Sequence, residues 1–260
     1  MHILFFRFLF HTTGYVYMFL LNNLEIIEKG FQGQGLKNIS KKYLQSIKIP
    51  LPPLEIQKEI VEQIEVKQKA IEAAKAVIDN LGKERRYFGQ TLRKLEGVEW
   101  VELGKICTFE YGKPLKEIDR KGGEYPVYGS NGIVGYHNEY LVKGPFIIVG
   151  RKGTAGAVVY SEKSGFPIDT TFYIQLKDQK VDLKFLYLIM ATLNLGKVNI
   201  QAGVPGLNRN DAYKVKIPLP PLEIQKQLVG EMEEQKKIIE ANKKLIGIME
   251  QKITEVLSEI

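Results

Sequence analysis

The chain has 260 residues, 44% of them hydrophobic and 26% charged, a balance that excludes a globally disordered polypeptide. Its net charge of +7 favours an anionic partner such as nucleic acid without requiring one. A single cysteine, Cys107, excludes an internal disulfide framework and a cysteine-based zinc site, and it suits a reducing, cytoplasmic setting.

The first stretch, MHILFFRFLFHTTGYVYMFLL, is the one that invites a membrane or signal-peptide reading. Arg7 and His11 interrupt it, no cation precedes the apolar run, and no uninterrupted span reaches the roughly 20 residues of a transmembrane helix. The expectation is a buried strand and helix, with no membrane contact.

The block KIPLPPLEIQK occupies residues 48–58 and returns, letter for letter, at 216–226. Around it the repeat extends. GQGLKNISKKYLQSI before the first copy parallels GVPGLNRNDAYKV before the second, and GYVYMFLLNNLEI parallels KFLYLIMATLNLG further back. Pro52, Pro53, Pro220 and Pro221 suit an extended entry followed by the first turn of a helix. After the first copy, Ile60, Ile64, Lys67, Ile71, Ala74, Ile78, Leu81, Arg85, Phe88, Leu92 and Leu95 fall at steps of four and three, a heptad seam. After the second copy, Leu228, Met232, Gln235, Ile239, Asn242, Ile246, Met249, Ile253, Val256 and Ile260 repeat the register.

A helix from Leu54 to Leu95 is about 60 Å long at 1.5 Å per residue, more than a small domain encloses. Two such helices bury their seams on each other, and the segment between them must carry the chain back, which predicts an antiparallel coiled coil. Lys67, Gln235 and Asn242 either set its register or face solvent. Gly82, Gly89 and Gly247 weaken the expectation of unbroken helices.

Between the helices the pattern changes. WVELGKICTFEYG, YPVYGSNGIVGYH, PFIIVGRKGTAGAVVYS and GFPIDTTFYIQL are short apolar or alternating runs punctuated by Gly and Pro, which read as strands and tight turns. LKFLYLIMATLNL reads as a helix, and QAGVPGLNRNDAYKVKIPLP returns through a loop and a short strand. The fold class is α+β: a mixed β/α domain plus two long helices.

GVEWVELGKICTF, YPVYGSNGIVGYH, FIIVGRKGTAGAVVY and GVPGLNRNDAYKVKIPLPPLEIQ, together with the two heptad helices, resemble the specificity subunit of type I restriction-modification systems across essentially the whole chain. The resemblance implies target recognition domains that alternate with long spacer helices, each domain reading half of a split site in double-stranded DNA. It also implies methyltransferase subunits docked on the helices and carrying S-adenosylmethionine, so that this chain needs no cofactor of its own. A restriction subunit joins through them. In these terms residues 1–50 are the tail of a first recognition domain, 51–96 and 217–260 the two long helices, and 97–216 a complete recognition domain. Only 47 residues precede the first copy of the block, against 118 between Gly97 and Lys216. Either the chain is N-terminally truncated, or it completes a reader by pairing with a second chain, in which case a homodimer predicts a palindromic split target.

The candidate DNA contacts follow from that resemblance. YGSNGIVGYH offers Tyr128, Ser130, Asn131, Tyr136 and His137 on a turn, either as a turn alone or as a turn that touches bases. GRKGTAG presents Arg151, Lys152 and Thr154 among glycines, which lets cations and amides approach a phosphate. GLNRND adds Asn208 and Arg209, or is a connector capped by Asn210 or Asp211. Nucleotide-binding glycine spacings are absent, the three histidines are scattered, and no metal spacing or catalytic motif is present. The chain is therefore expected not to be an enzyme. Two competing readings stay open: a remnant or decoy that holds methyltransferase without reading DNA, and a chain that itself cleaves or modifies DNA.

Overall fold

The computed structural model describes residues 2–33, 38–93, 98–197 and 206–258, with side chains described outside 2–11, 84–91 and 93. Two compact units divide the chain: Met1–Leu81 with Lys236–Ile260, and Gly82–Gln235.

The first unit opens with α1 (His2–Asn22) and α2 (Leu24–Glu28). The expected strand in the first stretch is not there. Tyr15, Met18 and Phe19 recur at helical spacing and are all buried, so one face of a single helix meets the core. A minimal hairpin follows, β1 (Phe31–Gln32) with β2 (Asn38–Ile39), and then α3 (Lys41–Ser46), whose Ser40 cap accepts from the Tyr43 amide at 3.1 Å.

The long helix α4 (Leu54–Arg93) starts directly after Pro53, whose carbonyl accepts from the amides of Ile56 and Gln57. It runs unbroken through Gly82 and Gly89. In this unit Val61 and Ile64 are each 1% exposed and share a cluster with Tyr15 and Met18, onto which Ile253, Val256 and Leu257 pack. The start of α4 thus lies beside the end of α8 (Leu222–Ser258), as antiparallel helices require. The seam is as expected with one change: Val61, not Ile60, is the fully buried residue, because α1 covers that side of α4. Along α8, Ile239 is buried, Asn242, Ile246, Met249 and Ile253 are half-buried between exposed neighbours, and Val256 and Leu257 are both half-buried. Of the seam positions, Leu95 and Ile260 lie outside the described residues, as does Gly97 at the expected domain boundary and as do the side chains of Arg85 and Phe88.

In the second unit β3 (Glu99–Glu102) leads through the short α5 (Leu103–Ile106) into β4 (Cys107–Tyr111). There follow β5 (Tyr125–Gly129), β6 (Gly132–His137), β7 (Phe146–Gly150), β8 (Val158–Ser161), β9 (Phe166–Pro167) and β10 (Thr171–Leu176). A four-stranded antiparallel sheet has the order β4-β10-β7-β8, and a three-stranded sheet the order β6-β5-β9. All five residues of β7 are buried, as its continuous apolar FIIVG run demands of a central strand. The helix α6 (Leu183–Thr192) is capped by Asp182 and buries Phe185, Leu186, Ile189 and Met190 against this sheet's core.

The chain then passes α7 (Arg209–Tyr213) into β11 (Lys216–Leu219), which pairs antiparallel with β3. Entry and exit of the β-rich unit are thereby stitched side by side. Leu92 from the end of α4 and Leu228, Val229 and Met232 from the start of α8 join the same core. Lys184 on α6 holds the start of α8 through an ion pair to Glu233, and it also pairs at 3.0 Å with Glu162, directly after β8.

The duplicated block does one job twice and another only once. In both copies the glutamine folds back to donate to the carbonyl of the proline five residues earlier, Gln57 to Pro52 at 2.7 Å and Gln225 to Pro220 at 2.8 Å. Both glutamines are buried, locking the extended proline segment onto the first helical turn. In the second copy KIPL is a strand because β3 lies opposite it; in the first copy residues 48–51 pair with no strand among the described residues.

Candidate nucleic-acid interface

A concave site lies in the β-rich unit, where three loops converge. Tyr111 ends β4, and Gly112 behind it is required by a close approach: a Cβ there would come within 2.1 Å of the Ile168 carbonyl oxygen. The Tyr111 ring leans on buried Phe172 at 5.0 Å between centroids, yet stays 48% exposed on its other side. The loop after β7 brings Arg151 and Lys152. Their amides donate to the Thr170 carbonyl at 2.9 and 3.2 Å, and Arg151 Nε donates to the Asp169 carbonyl at 3.1 Å.

The third contributor is the approach to α7. Leu207 donates its amide to the Arg151 carbonyl at 2.9 Å, and Gly206 bridges to Lys152. Asn208 caps α7 by accepting from the Asn210 amide at 2.8 Å, so the connector is capped by Asn208 rather than by Asn210 or Asp211. α7 is itself anchored: Ala212 is fully buried, and Tyr213 meets Phe109 edge-on at 5.6 Å while its hydroxyl oxygen accepts from the Phe109 amide.

These supports place two guanidiniums over one ring. The Arg151 Cζ lies 5.2 Å and the Arg209 Cζ 5.1 Å from the Tyr111 centroid, within cation–π range. The cleft they line measures about 330 Å³ and is completed by Lys152, Gly206, Leu207, Asn208 and Asn210. Among the described residues three cations and no carboxylate line it, so its chemistry is that of an anion site.

Of the sequence candidates, Arg151, Lys152, Asn208 and Arg209 come together at this cleft. Ser130 is tied to it, since its hydroxyl donates at 2.6 Å to the same Thr170 carbonyl that accepts from Arg151 and Lys152. Asn131 is exposed beside it on the two-residue turn between β5 and β6, with Gly132 at φ +110°. Thr154 is exposed but does not line the cleft, and Tyr136 is half-exposed on the edge strand β6.

Two candidates are buried away from the cleft. Tyr128 is 5% exposed, its hydroxyl donates to Ser161 at 2.7 Å, and its ring packs edge-on against Phe146. His137 is 8% exposed, accepts the Lys121 amide on Nδ1 and packs against Phe166. Both side chains are held inside the β-rich unit by these partners, away from the cleft. Tyr111 and Asn210, by contrast, belong to the cleft and were not among the expected contacts; the one signal for Tyr111 was an aromatic residue at a strand end followed by glycine.

Chemistry other than anion binding finds little here. Cys107 is fully buried, donates to the Leu103 carbonyl, and burial pushes its thiol up to about 12 against a small opposing pull from Lys177. Among the described residues no group of three or more His, Cys, Asp or Glu could hold a metal, and no helix is long and apolar enough to cross a membrane.

The family model described as the type I restriction modification DNA specificity domain matches residues 6–81 and 96–258. The chain belongs to this family. The specificity-domain chain is 26% identical over 258 residues to the type I restriction enzyme MjaVIII specificity subunit of Methanocaldococcus jannaschii, covering 82% of this chain and 61% of that one. It is 26% identical over 152 residues to a type I restriction enzyme specificity subunit of Haemophilus influenzae, covering 56% and 40%. The chain thus spans between two fifths and about three fifths of the length of these relatives. Among solved structures it matches the type I restriction-modification S subunit from M. genitalium with a TM-score of 0.66 at 20% identity, covering 94% of this chain and 71% of that one. It also matches the HsdS subunit from Thermoanaerobacter tengcongensis with a TM-score of 0.54 at 18% identity, covering 93% and 69%. The specificity-subunit fold, a mixed α/β unit with a pair of long helices, is therefore this chain's fold, and its family is that of a DNA specificity domain.

Proposed function

We propose that this chain is the sequence-specific DNA-recognition subunit of a type I restriction-modification complex in the cytoplasm. Its β-rich unit reads one half of a bipartite target, and its long helices dock methyltransferase subunits, which carry S-adenosylmethionine and recruit the restriction subunit. The domain division that goes with this is 1–50, 51–96, 97–216 and 217–260. One observation carries the reading: three loops of a DNA specificity domain converge on a cleft whose charged lining, among the described residues, is entirely cationic. The exposed turn at Ser130 and Asn131, tied to that cleft through Thr170, is where we place base contacts, with Tyr136 and Thr154 at its margin.

The test is methylation. Genomic DNA from cells expressing the chain with a methyltransferase subunit of the same system is mapped for methylated adenine. A split motif supports the proposal; a symmetric one adds that two copies pair into a homodimer, and an asymmetric one that another reader supplies the second half. A chain that holds methyltransferase without reading DNA is the second reading, favoured by the first copy of the block, whose residues 48–51 lack a strand partner among the described residues. Co-purification of methyltransferase without sequence-dependent DNA retention decides for it.

A further inference from the structure

We infer that the Tyr111 cleft is a clamp for a single backbone phosphate, setting the register of the DNA, and does not read bases; this rests on the DNA-recognition reading above. The cleft is built for an anion. Two guanidiniums, each within about 5 Å of one ring centroid, lie no more than about 10 Å apart, close to the screening length at physiological salt, so each feels the other's charge. An anion between them relieves that repulsion, and the described lining offers no carboxylate to do so instead.

The same geometry argues against base reading. A base would stack on an aromatic face, and on Tyr111 it would compete with two guanidiniums that already lie 5.2 and 5.1 Å from the ring centroid. Bidentate recognition of adenine needs both polar ends of an asparagine, and the Asn208 oxygen is already engaged by the Asn210 amide. Arg151 has its Nε committed to the Asp169 carbonyl, which holds that guanidinium in one pose. Tyr111 is accordingly a positioning residue: it keeps both guanidiniums over the cleft and itself donates no charge.

Phosphate contacts and base contacts leave different signatures in binding data. The full chain is titrated by fluorescence anisotropy onto duplexes of about 20 base pairs and several sequences between 50 and 200 mM salt, a range over which each phosphate contact contributes about a 3.5-fold fall in affinity. Arg151→Ala and Arg209→Ala are each expected to shrink the wild-type fall by about that factor, and to weaken binding equally on every sequence. Tyr111→Ala is expected to weaken binding uniformly several-fold while keeping the wild-type salt slope, since no charge is removed, and Tyr111→Phe to bind as wild type. Arg151→Lys and Arg209→Lys restore the slope and carry the test should an alanine variant melt early.

An unchanged salt slope in Arg209→Ala, or an altered ranking of sequences, overturns the clamp while leaving DNA recognition standing. Wild-type protein that binds no duplex at any of these salt concentrations overturns DNA recognition itself, and the clamp with it.

Discussion

Replacing the block's glutamine by leucine in one copy or the other compares the same substitution in the same eleven-residue context. Gln225 is 1% exposed and makes three hydrogen bonds: Nε2 donates to the carbonyls of Pro220 at 2.8 Å and Lys180 at 2.9 Å, and Oε1 accepts from the Asp182 amide at 2.8 Å. Gln57 makes the one equivalent bond to Pro52 at 2.7 Å, and its buried Oε1 meets no partner among the described residues. At roughly 1 kcal/mol net per bond, Gln225→Leu removes about 3 kcal/mol and strands three backbone groups. Gln57→Leu removes one bond and also an unpaired buried oxygen, so the two effects nearly cancel and the net cost is below about 1 kcal/mol.

The assay is thermal and urea unfolding followed by fluorescence of Trp100, the chain's single tryptophan, which sits opposite Pro218 in the β3–β11 pair just before the second glutamine. For a chain of this size, about 3 kcal/mol corresponds to a drop of roughly 6–12 °C in Tm. Far-UV circular dichroism follows the helices in parallel. Equal shifts in the two variants, or a larger one for Gln57→Leu, would refute the reasoning that the second copy's glutamine is the junction of strand, loop and helix.

Three further outcomes are expected. Gly230 and Gly247 lie mid-helix in α8, and a methyl group added at either would find nothing within 4 Å, so Gly230→Ala and Gly247→Ala should each stabilise the protein by about 0.5–1 kcal/mol in thermal melts. Burial pushes the Cys107 thiol up to about 12, above its unfolded value near 8.5, so its contribution is complete below about pH 8.5 and is lost as pH rises towards 12, at up to about 1.4 kcal/mol per pH unit; urea midpoints of wild type should fall faster above pH 8.5 than those of Cys107→Ala. Lys184 is held charged, its pKa raised first by the hydrogen bond to Glu233 and then by Glu162, so its contribution is constant through neutral pH and is lost only under strongly alkaline conditions; Lys184→Met should cost about 1 kcal/mol in urea denaturation at neutral pH, a modest figure because the group is partly exposed.

The long helices were the most legible feature because their signal is repeated many times: a seam of steps of four and three predicts which residues lose solvent, and Ile64, Ile71, Ala74 and Ile239 do. The sequence could not show that α1 adds a third surface, and that surface buries Val61 in place of Ile60. The β-rich unit was legible as strands, since FIIVG and TFYIQL carry their own bounds, but strand order was not, because β4, β10 and β7 come together from positions far apart in the chain. The site was half legible for the same reason. Glycine-rich loops announce Arg151, Lys152 and Arg209, whereas Tyr111 reaches them only through the β4–β10 pairing. The burial of Tyr128 and His137 was not legible, because a turn motif marks where the chain reverses and does not say which strand residues face inward.

The repeated block shows most plainly how one sequence acquires two structures. Its local instruction, a proline entry locked to a helical turn by a glutamine, is obeyed in both copies because every group it needs lies within six residues. Its other potential, the KIPL strand and the glutamine oxygen, needs groups from elsewhere: β3 for the ladder and the amide of Asp182 at the cap of α6 for the oxygen. Both are supplied in the second copy. A segment that presented a strand edge beside residues 48–51 and a backbone amide to Gln57 would satisfy the first copy in the same way, and the first glutamine would then become as costly to replace as the second.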